Sequence, residues 1–285
     1  IQKEVGDAAF SGGIVGRLRD QQLLSRKLSA AHSIWIEDDE AEVLADRGVS
    51  LVHNPVSNMM LGSGRANVSS CLRKGMNVAL GTDSSNCGIS HNLFEAMRIA
   101  VMHSRQEHSQ FQEWLKPIDV LKMATIGGAH LLGEEKKRGK IKQGYEADLV
   151  LLTKRSPALA MNEDLISQLV YYENGSSIES VMVKGEWVLR NRSIVTFDEE
   201  AILQAVKEKH ESLVVKSQAS IQLANEYEPY FTNMYKKFHH HLGEEKAAQV
   251  LANMDEREIQ TLGNYMSTLG NVDMKVMDSV NKDFY

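Results

Sequence analysis

Val78-Ala-Leu-Gly-Thr-Asp83 is an apolar run that ends in Gly-Thr and a lone carboxylate, with the polar loop Ser84–Gly88 behind it. Small and apolar residues bounded by Gly read as a short buried strand. A carboxylate just past the C-terminal end of such a strand sits where α/β barrels place their chemistry. Asp83 could equally be the N-cap of the next helix.

Working outward, the same rhythm recurs twice upstream. Leu28–Ile36 reads as a strand ending near His32, and the acidic segment Asp38–Arg47 as an amphipathic helix through Ala41, Leu44 and Ala45. Val49–His53 reads as the next strand, running into a turn-rich polar loop at Asn54-Pro-Val-Ser-Asn58. Val68–Lys74 reads as a short helix stopped by Gly75. Three strands thus end at His32, His53 and Asp83, each followed by helix, which is a βα rhythm. Each histidine alone can be a hydrogen-bonded structural residue. Two imidazoles and a carboxylate at the same ends of adjacent parallel strands would converge on one pocket.

Before these units a helical stretch is expected over about Leu18–Arg26. Downstream, His91–Arg105 and Pro117–Gly133 read as helices, the second with Pro in its first turn. Lys136–Lys142 is basic and reads as a solvated loop. From Tyr145 the pattern changes to β, with a hairpin at Ser180–Leu189 around Lys184-Gly185. A boundary is therefore placed near Gly139. Asp198–Gln218 and Ile221–Leu242 read as two charged helices, the latter with the aromatic stripe Tyr227, Tyr230, Phe231, Tyr235 and Phe238, a packing feature. Gly243–Tyr285 reads as short amphipathic helices whose Met254, Met266, Met274 and Met277 suit an adaptable packing surface.

The totals narrow the class. The 285 residues carry 42% hydrophobic and 25% charged side chains, which is ordinary for a water-exposed globular chain. A net charge of −6 gives no general attraction to nucleic acid or an anionic membrane. The cysteines, Cys71 and Cys87, form no CxxC, which argues against a disulfide scaffold or zinc ribbon and suits a cytoplasmic setting. No apolar run approaches the roughly 20 residues of a membrane span.

Several of these segments resemble one family. Ala-Ala-His-Ser-Ile-Trp (30–35), Val-His-Asn-Pro-Val-Ser-Asn-Met-Met-Leu-Gly-Ser-Gly (52–64), Ala-Leu-Gly-Thr-Asp (79–83) and Ala-Thr-Ile-Gly-Gly-Ala (124–129) look like the amidohydrolase superfamily. Gly-Lys-Ile-Lys-Gln-Gly-Tyr-Glu-Ala-Asp-Leu-Val (139–150) and Val-Met-Val-Lys-Gly-Glu-Trp-Val (181–188) match the same source. The branch is the aminohydrolase/chlorohydrolase group, with guanine deaminase, adenosine-derivative deaminases and s-triazine hydrolases.

The resemblance implies an α/β fold: strands 6, 7 and 8 of a metal-dependent (β/α)8 barrel in residues 1–138, part of a small β-sandwich in 139–197, and a helical extension in 198–285. It implies one divalent metal, zinc or ferrous iron, with Asp83 as a ligand that also takes the proton from the attacking water. His32 would face the oxygen or leaving group of the tetrahedral intermediate. His53, Asn54, Ser57 and Asn58 would line the substrate side, and Cys87, in the loop after Asp83, would help select the leaving group. The implied partners are a small heterocyclic substrate and, in the complete protein, a second copy in a homodimer, with neither nucleic acid nor membrane.

The family's remaining ligands are missing from the pattern. They are a His-x-His after the first strand and a later His with a Glu three residues on. His239-His240-His241 follows a helical stretch, and His103/Glu107 and His210/Glu211 also fall on helices. The expectation is therefore the C-terminal portion of a longer hydrolase that cleaves a non-peptide carbon–nitrogen bond, or a carbon–chlorine bond, and is inactive alone. The competing reading is a non-catalytic binding or assembly protein that retains part of the barrel.

Overall fold

Ser29–Ala31 (β1), Ser50–His53 (β2) and Asn77–Leu80 (β3) form a parallel sheet in the order β1-β2-β3. The register sets Ala31 opposite Val52 and His53 opposite Leu80, so the three C-terminal ends are level. The computed structural model describes residues 10, 12–88, 90–107, 110–160 and 163–240. Among them the parallel strands make an open sheet rather than a closed barrel. The sheet is buried at β2 and β3, whereas Ser29 and Ala31 of β1 are exposed along one edge.

Each strand is followed by helix. Asp38–Asp46 (α2) buries Ala41 and Leu44, one turn apart, while its acidic first turn complements the helix N-terminus. Pro55–Met60 (α3) is a helix where the sequence suggested a loop. Proline is a turn residue, but at the first helical position its fixed φ and missing N–H suit a helix start. Val68–Arg73 (α4) is capped by the Asn67 side chain, which accepts from the Ser70 N–H, and ends before Gly75 at φ 80. Leu44, Val49, Leu51, Val68, Val101 and Val120 are among the residues that close the core. Ahead of β1, Gly13–Asp20 (α1) begins earlier than expected, after Gly12 at φ 77, and ends before Gln22 at φ 57.

Leu93–Glu107 (α5) leads to a rod made of Pro117–Lys122 (α6), one widened π turn at Met123–Gly127, and Gly128–Leu131 (α7). The rod lies hard against β3. A Cβ on Gly127 would fall 2.2 Å from the Val78 carbonyl oxygen, so only glycine permits this approach. Asn77 Nδ2 secures it by donating to the Gly127 carbonyl at 3.1 Å.

Leu149–Leu152 (β4), Ile178–Val183 (β5), Glu186–Arg190 (β6) and Ser193–Ile194 (β7) form an antiparallel sheet, with Leu165–Tyr171 (α8) between β4 and β5. The expected hairpin is present. Lys184 and Gly185 both take positive φ, 53 and 85, which matches the right-handed twist of the flanking strands.

A separate unit contains Glu199–His240 (α9), a single helix of 42 residues. This corrects the expectation of two helices. The Ser-Gln-Ala-Ser stretch at 217–220 contains no Gly or Pro to stop the helix, and Pro229 is accommodated within it. Tyr227 and Tyr230, one turn apart, lie with ring centroids 6.4 Å apart, while Tyr230, Ile202, Val206 and Leu213 are exposed. The segment Gly243–Tyr285 lies outside the described residues. Among the described residues no helix is long and apolar enough to cross a membrane.

Candidate functional site

His32 follows β1 directly, and its N–H continues the ladder by donating to the Val52 carbonyl at 2.9 Å. Asp83 follows β3, and the ladder there runs on through Gly81 N–H to the His53 carbonyl at 2.8 Å. Both residues then leave the extended conformation. His32 adopts φ 63 and Asp83 φ 60, left-handed backbone that non-glycine residues seldom take. The two side chains meet, with His32 Nε2 3.6 Å from Asp83 Oδ2. Both reach solvent, with side-chain exposures of 39% and 24%.

Between them stands α3, which rises from the central strand. Its Ser57 hydroxyl donates to Asp83 Oδ2 at 2.6 Å, and its Asn58 Oδ1 accepts from His32 Nδ1 at 2.7 Å. Asp83 Oδ1 accepts from the Ser84 N–H at 2.7 Å. The Ser57 hydrogen bond, then the Ser84 N–H and the nearby His32, outweigh partial burial and hold the Asp83 carboxyl below its ordinary range. Asp83 is therefore a carboxylate at neutral pH. It does not cap α5. Asn92 does, its Oδ1 accepting from Phe94 N–H at 2.9 Å and Glu95 N–H at 3.4 Å.

The other expected residues lie deeper. His53, Asn54, Ser57 and Asn58 are only 2%, 5%, 1% and 1% exposed, so they support the strand ends from beneath. Asn54 packs against Gly81, where a Cβ would come within 2.2 Å of Asn54 Oδ1. Cys87 sits in the turn after Asp83, its N–H bonded to the Ser84 carbonyl at 3.1 Å and its Sγ 3.7 Å from Asn86 Oδ1. His32 and Asp83 are thus brought together, His53 stays inside, and Cys87 lies on the loop. The sequence reads that stretch as a loop, which hides the hydrogen bonds of Ser57 and Asn58. Proline at a helix start was the available signal.

Burial, then His103 on α5 and His32, push the His53 imidazole down to about 3. His103 is itself lowered, by burial and by Arg65. His53 is therefore neutral in the folded chain. Its contribution to stability is complete above its ordinary 6.5 and is lost as the pH falls from there towards about 3. Urea denaturation at about pH 7 and about pH 5 should show native stability falling, with a shallower fall in His53→Leu. Equal slopes would contradict a buried neutral imidazole.

The fit to a metal is incomplete. A catalytic zinc wants about three protein ligands. Of this pair only Asp83 is an implied ligand, and among the described residues no group of three His, Cys, Asp or Glu could hold an ion. This chain's described residues do not by themselves fit such a site.

Comparison with known proteins adds an independent line. The sequence model of the amidohydrolase family matches residues 2–188, and that of the FliG N-terminal domain matches residues 238–285. A 5′-deoxyadenosine deaminase of Methanopyrus kandleri is 37% identical over 191 residues, 67% of this chain and 44% of the relative. A 5-methylthioadenosine/S-adenosylhomocysteine deaminase of Acetivibrio thermocellus is 37% identical over 179 residues, 63% of this chain and 41% of the relative. Among solved structures, an adenosine deaminase from Xanthomonas campestris with bound zinc superposes with a TM-score of 0.71 at 27% identity. That superposition covers 75% of this chain and 49% of the other. The chain spans less than half the length of these relatives.

Proposed function

Because the chain belongs to the amidohydrolase family, we propose that its His32–Asp83 face is one side of the active site of a hydrolase that deaminates a small heterocyclic amine. An adenosine derivative modified at the 5′ position is the substrate class that the named relatives support. The observation that carries this reading is the approach of His32 Nε2 and Asp83 Oδ2 to 3.6 Å at the C-terminal ends of parallel strands.

In hydrolytic deamination a water oxygen adds to the ring carbon that bears the amine. One water proton ends on the adjacent ring nitrogen, the other goes to the amine, the C–N bond breaks, and ammonia leaves as the carbon becomes a carbonyl. Asp83, ionised at neutral pH, accepts the proton of the attacking water and returns it to the departing nitrogen. His32 faces the oxygen or leaving group of the tetrahedral intermediate, where its Nε2 lone pair accepts a hydrogen bond from the added hydroxyl or the departing amine. The groups needed to complete the site come from βα units other than the three described here.

The test joins this chain in frame behind the first half of the Methanopyrus kandleri relative and measures ammonia release from 5′-deoxyadenosine and 5-methylthioadenosine. The reading predicts release by the joined protein and none by this chain alone. A folded joined protein that releases none from either substrate would overturn it. The match of residues 238–285 to the FliG N-terminal domain favours a second reading, in which the barrel portion is a carrier for an assembly module. That reading predicts the silent outcome.

A further inference from the structure

We propose that Ser57 and Asn58 are positioning residues, and that Asn58 fixes His32 in its Nδ1–H tautomer so that Nε2 is the atom turned towards Asp83. The inference deepens the reading of His32 and Asp83 as the reacting pair and rests on it for its functional meaning.

Adjacent residues on a helix point about 100° apart. At the start of α3, which follows the central strand, this lets Ser57 reach the residue beyond β3 while Asn58 reaches the residue beyond β1. The props are fixed and the propped groups are accessible: Ser57 and Asn58 are each 1% exposed, whereas the His32 and Asp83 side chains are 39% and 24% exposed. Pro55 at the first helical position stiffens the turn that carries them.

The direction of the Asn58 bond follows from chemistry. An amide oxygen only accepts, so at 2.7 Å His32 Nδ1 must carry the hydrogen. Nε2 is then the ring nitrogen left to accept, 3.6 Å from Asp83 Oδ2 and beyond a hydrogen bond to that carboxylate. Asn58 Nδ2 is buried without a hydrogen-bond partner, so the side chain is oriented by its oxygen and by His32. Ser57 acts in parallel. Its hydroxyl and the Ser84 N–H each hold one Asp83 oxygen, which pins the carboxylate plane. Left-handed backbone at His32 and Asp83 persists only where the surroundings over-determine it, and these bonds supply that constraint.

The test needs neither turnover nor metal. The chain, labelled with 15N in its imidazoles, is examined by NMR at mildly alkaline pH, with His32 assigned by its loss in His32→Gln. Native His32 should show Nδ1 protonated. Asn58→Ala should move it towards the Nε2–H form that free histidine prefers, and Asn58→Asp, which keeps an acceptor oxygen, should restore the native pattern. A native His32 in the Nε2–H form, or one indifferent to Asn58→Ala, would overturn the proposal. In the joined protein, Ser57→Ala and Asn58→Ala should each lower kcat about 10- to 100-fold with KM changed less than about twofold. If the tautomer responds as stated but the unsubstituted joined protein releases no ammonia, the positioning stands and the deaminase reading fails.

Discussion

In the joined protein, Asp83→Asn is expected to lower kcat for ammonia release by about 10³-fold while leaving the fold intact. Asparagine keeps the size of the side chain and tolerates left-handed backbone, so φ 60 at this position is not strained further. Its amide oxygen can still accept the Ser84 N–H, and its amide nitrogen can donate to the Ser57 hydroxyl, which rotates to accept. What it cannot do is take a proton from water and hand it to a leaving amine. Steady-state kinetics beside a denaturation curve separates the two effects. A variant within tenfold of native kcat would remove Asp83 from the chemistry, whereas a collapsed denaturation midpoint would make its role structural.

The largest expected loss of stability lies away from the site, at Glu173. It is fully buried just beyond α8, and its Oε1 accepts three backbone N–H groups, from Asn174 at 3.1 Å, Gly175 at 2.7 Å and Ser177 at 3.1 Å. Its own carbonyl accepts from Arg98 of α5, and Asn92 Nδ2 donates to the next carbonyl at 2.7 Å. The carboxylate therefore organises the loop into β5, while two backbone carbonyls of the same loop tie it to Arg98 of α5 and to Asn92 at its start. Glu173→Ala leaves three donors without their acceptor, at a cost of about 3 kcal/mol. Glu173→Gln keeps an acceptor oxygen and should cost less.

Burial alone would raise the Glu173 carboxyl, but the bonds from Ser177, Gly175 and Asn174 together bring it below its ordinary 4.5. Its stabilising contribution is therefore present above about pH 4.5 and is lost as the pH falls through the lowered value. Chemical denaturation of the native and Ala forms at neutral pH measures the loss. A difference below about 0.5 kcal/mol would show that water replaces the carboxylate at no cost.

The positions of His32 and Asp83 were legible because strand ends are. Apolar runs of four residues between Gly, Pro and polar clusters have few other readings, and their spacing fixed a parallel order. The supports were not legible. In Asn54-Pro-Val-Ser-Asn58 the same residues are favoured in turns and at helix starts, and only packing beneath the sheet ends decides for helix. Positive φ at His32 and Asp83 has no signature in sequence, since neither is glycine. The break expected near Ser220 failed for a related reason. Serine weakens a helix without stopping it, and α9 runs through.

On the proposed function, Asp83 and His32 serve the addition of water to an amine-bearing ring carbon. The most direct measurement is the reaction of 5′-deoxyadenosine with the joined protein in 18O-labelled water, following ammonia and the mass of the nucleoside product. One labelled oxygen is expected in each product molecule for each ammonia released, with both formed about 10³-fold more slowly by Asp83→Asn. Ammonia without label in the product, or a labelled product formed equally well by Asp83→Asn, would contradict it.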